Sequence, residues 1–418
     1  MSPRANMGRI HDDSEAELEF RPAQMSAQIN TPLPEKRLYS LDALRGIAAL
    51  SVVVWHWQHF YAIGGTWPVG WQRSAEPFYP LLKPLYDQGW VAVDLFFAIS
   101  GYVFFWLYAD AIANRRIGPG KFALLRFSRL YPLHFVTLVA VAAMQLLFRQ
   151  QTGKFFIFAA NDWRHFASSL VLAQQWLPPD ELQSFNGPAW SISIEALLYA
   201  IFFAGVRLGL RNPGGTFALA VASGVLLYWD GQIARGLMGF FMGGTVYYIA
   251  RELAAHRRAR EIAACLVAAA LLVCTIVILE IYLGPIQWLM QRAPAPLAHA
   301  FAAKEYDVFL LAFIFVVSPL VLGALALHEQ VLGGRYKRLS FLGDISYSTY
   351  MLHFPMQLAL ALIALRFGLT SAVFETGFAM IAFYAALILL GALSYNHFER
   401  PLQAGIRDTA KTVLSPAQ

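Results

Sequence analysis

The feature that most constrains this chain is a series of apolar runs, most of them near 20 residues long, that recur from about residue 42 to residue 396. In helical form, a run of about 20 residues crosses the ~30 Å hydrocarbon core of a bilayer. Inside hydrocarbon every backbone polar group must be paired within the protein, and a helix achieves this within one segment. The sequence therefore predicts an all-α, polytopic membrane protein rather than a string of soluble domains.

Ten transmembrane helices are predicted from these runs. They cover about residues 42–62, 89–109, 130–148, 188–206, 216–229, 236–250, 261–283, 306–327, 345–365 and 372–395. The fifth and sixth are short and rich in glycine, which favours tilted or closely packed helices. Composition agrees with this class, because 58% of the residues are hydrophobic and only 14% are charged, whereas soluble domains carry about 25% charged residues.

Lysine and arginine in the short loops predict how the spans are oriented. Four connections are basic, namely "ANRRIGPGKFALLRFSR", "RLGLRNPGG", "RELAAHRRAR" and "HEQVLGGRYKR". Short basic loops remain in the cytoplasm, and ten spans with both termini in the cytoplasm place all four there. The stretch 149–187 then lies outside. Its apolar piece "FASSLVLAQQWL" is too short to span, so we interpret it as interfacial or re-entrant.

The two ends of the chain are predicted to be tails of a single membrane domain that covers residues 37–402. Residues 1–36 are polar, contain several prolines and lack the apolar core of a signal peptide, which predicts a flexible cytoplasmic tail. Residues 403–418 are predicted to form a short cytoplasmic C-terminal tail. The formal charge of +6 lies mostly in the loops between spans. This is the pattern of topology signals, so no nucleic-acid partner is expected.

The two cysteines do not indicate a metal site or a disulfide. Cys265 and Cys274 lie nine residues apart in one apolar run. Two cysteines at that spacing on one helix do not readily pair and provide no metal-ligand cluster. They are interpreted as small buried hydrophobic residues, and no bound metal is expected.

The first predicted span carries two ionisable side chains whose spacing predicts a common helical face. Arg45 and His56 are eleven residues apart, which in an α-helix is about 20° from three full turns, so both are predicted to project from one face. The rise is about 16.5 Å, which places Arg45 near the cytoplasmic surface and His56 about half-way across. The alternatives are an arginine that anchors the helix at the headgroups and a core histidine bonded to a neighbouring helix.

Later spans carry further ionisable groups, which in hydrocarbon usually face a cavity or a partner. Asp94 in the second span either orients an imidazole or pairs with an arginine. Arg126 and Arg129 share a helical face and suit phosphate, with lipid headgroups as the alternative ligand. Glu195 in the fourth span also needs a partner. We predict that this partner is the His56 region, which Glu195 would approach from the opposite side of the membrane.

Six sequence blocks, in this order, resemble the acyltransferase-3 family of membrane acyltransferases. They are "LDALRGIAALSVVVWHW", "VAVDLFFAISGYV", "RFSRLYP", "WSISIEALLY", "LGDISYSTYMLHFP" and "FERPL". The resemblance covers roughly residues 37–402. The chain resembles the stand-alone members of the family, in which no soluble hydrolase-like domain follows the membrane domain. The chain departs from the family pattern at two places. Ala196 follows Glu195 where many relatives have a second acidic residue, and Ala92 precedes Val93 where a glycine is frequent.

The resemblance implies an O-acyltransferase of a bacterial-type inner membrane. It would move an acyl group, acetyl or similar, from cytoplasmic acyl-CoA to a hydroxyl of an extracytoplasmic carbohydrate or glycoside. Acyl-CoA, expected to be acetyl-CoA, is then a co-substrate, and no bound cofactor is expected. Arg126, Arg129 and Arg45 would bind the CoA phosphates.

In the mechanism that the resemblance implies, His56 takes the proton of the acceptor hydroxyl. Asp94 or Glu195 would hold the productive tautomer of that imidazole, and Arg45 would support catalysis at the cytoplasmic mouth. A covalent acyl intermediate on His56 or on a serine is the rival route.

The acceptor is expected to enter from outside. Trp190, Ser191, Tyr350 and His353 are predicted on this acceptor side, with Trp190 as an interfacial anchor. Aromatic residues of the outer stretch are predicted to stack on sugar or to contact outer-leaflet lipid. They are Phe155, Phe156, Trp163 and Trp176.

Two other functions are alternatives to an acyltransferase activity. Intramembrane charges also line the substrate pathways of transporters and flippases, although the two halves of this chain show no convincing inverted repeat. An inactive membrane sensor with an acyltransferase-like core is the other alternative. The presence of Arg45, His56, Asp94 and Glu195 argues against it, because charged groups in hydrocarbon are costly to keep.

Overall fold

The computed structural model describes residues 37–176, 183–333 and 336–414. Regular structure in this part of the chain is helical, apart from one isolated β-bridge between Ile63 and Thr66. The predicted tail at residues 1–36 lies outside the described residues, as do the last four residues of the predicted C-terminal tail.

Sixteen α-helices, numbered in chain order, occur in the described residues. They are α1 Tyr39–Trp55, α2 Tyr79–Gln88, α3 Ala92–Ala113, α4 Pro119–Thr152, α5 Trp163–Leu170, α6 Trp190–Arg207, α7 Pro213–Ser223, α8 Gly231–Ala254, α9 Ala259–Leu283, α10 Pro285–Met290, α11 Ala295–Ala312, α12 Ser318–Leu332, α13 Ser340–Asp344, α14 Ser346–Arg366, α15 Gly377–Ser394 and α16 Arg400–Leu414. Short 3₁₀ turns follow or precede several of these helices, and π-helical turns join α11 to α12 and α15 to α16.

Seven helical stretches of the described chain are long and apolar enough to cross a membrane. They are Tyr79–Ala113, Pro119–Thr152, Gly187–Arg207, Ala259–Leu283, Ala295–Leu332, Ser346–Arg366 and Gly377–Thr409. Each overlaps one predicted span. The prediction of an all-α, multi-pass membrane protein is confirmed.

Three predicted spans, 42–62, 216–229 and 236–250, are absent from this set of seven. The α-helix of the first begins at Tyr39 and ends at Trp55, and it carries Asp42 and Arg45. The second forms a shorter apolar helix, Pro213–Tyr228. The third corresponds to α8, which contains five glycines and charged residues near both ends. Buried polar groups and close packing, rather than length and hydropathy, characterise these segments.

Helices α3 and α8 cross with their backbones in contact. A Cβ atom at Gly243 would lie 1.9 Å from the carbonyl oxygen of Ala98, and one at Gly101 would lie 1.8 Å from that of Phe240. Because only glycine fits at these two positions, the glycine-rich segment 236–250, predicted to be tilted or closely packed, is closely packed against α3. Between membrane helices such packing takes the place of the hydrophobic effect as a source of association.

Aromatic rings fill the core where α3, α6 and α8 meet. Phe104 stacks on Tyr199 with centroids 4.5 Å apart, and Phe105 meets Phe202 edge to face at 5.0 Å. Offset and edge-to-face ring pairs stabilise a core beyond the area that they bury. This core fixes α3, α6 and α8 relative to one another.

Helix α9, by contrast, leaves most of its apolar surface outside the protein core. Cys265 is exposed and Cys274 is only half-buried on this helix. The prediction that both cysteines are buried is therefore wrong, because an apolar helix at the edge of a membrane domain presents its side chains to lipid instead of to the core.

In the described residues of the stretch 149–187, the end of α4 is followed by a short helix, α5, of eight residues. Its length of about 12 Å is far too short to cross a bilayer. Asp162 begins it by accepting hydrogen bonds from the backbone amides of Arg164 and His165. Residues 177–182, which follow, lie outside the described part of the chain.

The C-terminal region is helical as far as Leu414. Glu399, in the π-helical turn before α16, is buried and accepts hydrogen bonds from the hydroxyls of Ser348 and Ser394 at 2.5 and 2.8 Å. The guanidinium of Arg407 donates to the hydroxyl of Ser128 at 3.1 Å. Much of the predicted tail at 403–418 is thus an ordered helix that contacts α4.

Candidate active site

A cavity of about 170 Å³ lies where α1, α3, α4, α6 and α14 meet. Its lining includes six of the residues predicted for the site, and we call it the arginine cavity. They are Arg45, Arg126, Arg129, Ser191, Glu195 and Tyr350. The structure therefore brings together side chains from four separate sequence blocks. It also places Ser191 and Tyr350, predicted on the acceptor side, in the same cavity as the three arginines.

Arg45 is held at the start of α14. Its Nε atom donates to the hydroxyl of Ser346 at 3.0 Å, and its Nη2 atom donates to the carbonyl oxygen of Gly343 at 2.8 Å. Asp42, one turn earlier on α1, accepts a further hydrogen bond from Nη2 at 3.1 Å. These contacts fix the guanidinium at the cavity wall, where a simple headgroup anchor would point to lipid.

Arg126 lies among aromatic rings. Its Nη2 atom donates to the hydroxyl of Tyr108 at 2.7 Å, and its guanidinium carbon is 4.9 and 5.0 Å from the ring centroids of Tyr108 and Phe104. The Nε atom is buried with no hydrogen-bond partner among the described residues. In the described part of the chain, Arg126 and Arg129 have no carboxylate within 4 Å. Neither guanidinium therefore forms an ion pair within the described chain, and Glu195 lines the same cavity.

Glu195 lines the same cavity but does not pair with His56. Its Oε1 atom accepts hydrogen bonds from the hydroxyl of Ser100, at 2.9 Å, and from that of Tyr199. The predicted contact with the His56 region is not formed, because Glu195 faces α3 whereas His56 packs against α14.

Asp94 is fully buried and forms an ion pair with Arg235 of α8. Oδ1 and Oδ2 accept from Nε and Nη2 of Arg235 at 3.0 and 2.7 Å. Of the two predicted roles, pairing with an arginine is the one that the structure forms, and Asp94 does not orient an imidazole. Arg235 was not selected from the sequence. The sequence feature that could have identified it is the position of this arginine directly before the glycine-rich span predicted at 236–250.

Trp190 is only 8% exposed. Its ring meets Phe97 edge to face at 6.1 Å, and the guanidinium of Arg235 lies 5.4 Å from its centroid. The prediction of an interfacial anchor is therefore wrong. The ring packs inside the protein, against an aromatic side chain and a guanidinium.

His56 and His353 form a buried pair. The Nδ1 atom of His56 lies 2.9 Å from Nε2 of His353, and the two rings stack 5.0 Å apart at an interplanar angle of 10°. Gln357 donates from Nε2 to the carbonyl oxygen of His56 at 3.0 Å, and its Oε1 atom lies 3.1 Å from Nδ1 of His59. We call these three histidines, together with Gln357, the histidine cluster. His353 thus occupies the place behind His56 that was predicted for a carboxylate.

The hydrogen bonds of the pair assign its tautomers. Nδ1 of His353 contacts the carbonyl oxygen of Tyr350, and because a carbonyl only accepts, this nitrogen carries the hydrogen. Nε2 of a neutral His353 is then an acceptor, so Nδ1 of His56 is the donor between the two rings. The Nε2 atom of His56 keeps its lone pair and is the basic atom of the pair.

Tyr350 joins the histidine cluster to the arginine cavity. Its ring centroid lies 5.7 Å from that of His353, and its hydroxyl contacts Ser191 at 2.9 Å and the carbonyl oxygen of Pro188 at 2.7 Å. His56 itself is not among the residues that line the cavity. The predicted common face of Arg45 and His56 therefore does not place both on one wall, because the α-helix ends at Trp55 and His56 begins a 3₁₀ turn.

Comparison with known proteins identifies the family of the chain. The family model described as an acyltransferase domain matches residues 38–397. Acyltransferase MdmB of Streptomyces mycarofaciens is 32% identical over 180 residues, which are 42% of this chain and 41% of MdmB. Protein 2 in picA locus of Rhizobium radiobacter is 30% identical over 204 residues, 46% of this chain and 95% of that protein.

A third relative carries a more specific name. Peptidoglycan O-acetyltransferase OatA of Listeria monocytogenes is 24% identical over 208 residues, 47% of this chain and 29% of OatA. The chain thus aligns with less than half the length of MdmB and of OatA. No solved structure matches the chain. Because the family model covers most of its length, the chain belongs to the acyltransferase-3 family, and it is a multi-pass membrane protein.

Proposed function

We propose that this enzyme transfers an acetyl or similar acyl group from cytoplasmic acyl-CoA to a hydroxyl of an extracytoplasmic carbohydrate, in a bacterial-type inner membrane. The observation that carries the proposal is the position of the histidine pair, which Tyr350 joins to a cavity with three guanidiniums. The relative named as a peptidoglycan O-acetyltransferase supports an O-acyl product.

The arginine cavity suits the donor. Guanidinium groups bind phosphate oxygens in pairs of charge-assisted hydrogen bonds, and Arg126 and Arg129 are free of carboxylate partners within the described chain. Apolar side chains such as Ile99 and Val103 line the rest of the cavity, and they suit the pantetheine arm of acetyl-CoA. The thioester would then arrive near Tyr350.

The histidine pair supplies the base. As the acceptor hydroxyl attacks the thioester carbonyl, its proton passes to Nε2 of His56. The C–S bond then breaks, and the departing CoA thiolate takes that proton from the imidazolium, which returns His56 to its neutral form. Nε2 of His353 accepts the hydrogen bond from Nδ1 of His56 throughout, so it holds the tautomer and stabilises the imidazolium. This is the role that a carboxylate has in a serine hydrolase.

Acyl consumption by the purified enzyme tests the proposal. The full chain in lipid nanodiscs is incubated with radiolabelled acetyl-CoA and a panel of methyl glycosides. We expect CoA release that depends on the glycoside, with the label recovered as an ester on the sugar. Movement of label across a sealed vesicle without CoA release would instead support the transporter, and neither activity would support the inactive sensor.

A further inference from the structure

A second cavity, of about 450 Å³, lies at the opposite ends of α1 and α3. Its lining is three aromatic rings and three charged side chains, and we call it the outer cavity. They are Trp55, Trp90, Tyr306, Arg73, Asp87 and Arg235. Along α1, Trp55 is about 15 Å from Arg45 of the arginine cavity. The loop orientation places this end of the helices outside the cytoplasm.

The histidine pair lies between the two cavities. The ring of Trp55 meets that of His56 edge to face, with centroids 4.8 Å apart. On the other side of the pair, His353 contacts Tyr350 of the arginine cavity. Trp55, which lines the outer cavity, is therefore in direct contact with His56.

Two of the three charged side chains that line the outer cavity form ion pairs. Trp90 stacks on Tyr306 at 4.7 Å, and the guanidinium of Arg235 lies 4.9 Å from the Trp90 centroid. Asp94 neutralises Arg235. Asp87, at the rim, is likewise paired, with Lys83 at 2.7 Å.

Arg73 differs from these charges because no carboxylate neutralises it. Its Nη1 atom is buried without a hydrogen-bond partner in the described part of the chain, and its Nη2 atom reaches only the carbonyl oxygen of Trp55, at 3.5 Å. Glu76 is close in sequence, but neither of its carboxyl oxygens has a hydrogen-bond partner in the described part of the chain, and burial raises its pKa to about 8. A buried donor without a partner is costly. A guanidinium in this state suits a carboxylate or a phosphate.

The aromatic residues predicted on the acceptor route differ in exposure, because Trp163 is 74% exposed and Trp176 is 40% exposed whereas two other rings are buried. Phe156 is 2% exposed and packs on Phe148 and Phe354 in the core. Trp190 is buried beside Arg235. Neither ring is available for stacking.

We propose that the outer cavity binds the acceptor sugar and that Arg73 binds an anionic substituent of that sugar. The assignment rests on the proposed function for the identity of the acceptor. It adds the position of the sugar, on the side of the histidine pair opposite to acyl-CoA, and a preference for acidic carbohydrate.

Two matched disaccharides test this assignment. Methyl cellobioside is neutral, and its analogue with one glucuronic acid keeps every hydroxyl of the other ring. Binding to the full chain in nanodiscs is measured by calorimetry without acyl-CoA, and transfer is measured with acetyl-CoA. We expect the acidic disaccharide to bind at least about tenfold more tightly, since a charge-assisted hydrogen bond contributes that much.

Substitutions at Arg73 locate the preference. Arg73→Gln should abolish it and Arg73→Lys should retain part of it, while affinity for acetyl-CoA stays unchanged in both. Arg164→Gln, at an exposed position of the stretch 149–187, is the matched control and should leave the preference intact. Equal affinity of the wild type for both disaccharides, or a preference that persists in Arg73→Gln, would overturn the assignment.

The two proposals fail in distinguishable ways. Acetyl transfer to either disaccharide without an effect of Arg73 on binding removes the outer site and leaves the proposed function standing. Binding that depends on Arg73, with no acetyl transfer to any hydroxyl, removes the proposed function and retains the anionic-sugar site.

Discussion

The arginine cavity and the outer cavity differ in how their charges are compensated. In the outer cavity, Arg235 and its fully buried partner Asp94 neutralise each other, and Arg73 is left without an ion pair in the described part of the chain. In the arginine cavity the excess is larger, because Arg126 and Arg129 lack carboxylate partners in the described chain while Glu195 bonds to hydroxyls. The comparison teaches that a charge with an internal partner supports the fold, whereas a charge without one is available to a ligand.

The largest expected effect separates the buried Asp94 from the half-buried Glu195. Asp94→Asn leaves Arg235 buried without its counter-ion, so we expect a loss of about 3–5 kcal/mol of stability, measured by thermal unfolding in detergent. Glu195→Gln keeps hydrogen-bonding capacity towards Ser100 and Tyr199 and is expected to fold normally. Equal unfolding temperatures for Asp94→Asn and wild type would show that the ion pair does not support the fold.

The second test removes His353, which accepts a hydrogen bond from the proposed base His56. His353→Ala deprives Nδ1 of His56 of its acceptor, so the productive tautomer is no longer enforced, and we expect kcat to fall about 100-fold. The KM for acetyl-CoA should change little. The matched control is His328→Ala, whose imidazole contacts Tyr336 and is remote in sequence from the cluster. A kcat reduced equally by both substitutions would contradict a specific role for His353.

A third test assigns the donor to one cavity. Arg129→Gln removes a guanidinium from the arginine cavity, and we expect the KM for acetyl-CoA to rise about tenfold, as for one lost charge-assisted hydrogen bond. The KM for the acceptor should remain unchanged. Steady-state kinetics with each substrate varied in turn measures both values. A rise confined to the acceptor KM would reverse the assignment of the cavities.

The smallest expected effect concerns Glu76 and pH. The pKa of this carboxyl is raised by burial to about 8 in the folded chain, so folding favours its protonated form. The resulting stability falls as pH rises from about 4.5 and is fully lost only above pH 8. Between pH 7 and pH 9 the wild type should lose about 1 kcal/mol relative to Glu76→Gln. Parallel pH profiles of unfolding temperature would contradict this.

Much of this architecture was predictable from the sequence. The apolar runs gave the all-α membrane class, and the sequence blocks selected Arg45, Arg126, Arg129 and Glu195 before their common cavity was known. Each block is local, and hydropathy and motif spacing report local structure well.

Long-range pairings were not predictable in the same way. Asp94 and Arg235 are 141 residues apart, and His56 and His353 are 297 apart. Such pairs depend on how helices pack, and nothing in the periodicity of either segment encodes the partner. The burial of Trp190 also depends on helix packing, because its ring lies against Phe97 and Arg235 of two other helices.

The central claim is that His56, placed between a donor cavity and an acceptor cavity, takes the acceptor's proton. The most direct measurement is the rate of acetyl transfer by His56→Ala, with acetyl-CoA binding measured on the same preparation. We predict that kcat falls by about 10³-fold while affinity for acetyl-CoA stays within about twofold. Transfer at the wild-type rate by a folded His56→Ala enzyme would contradict the account.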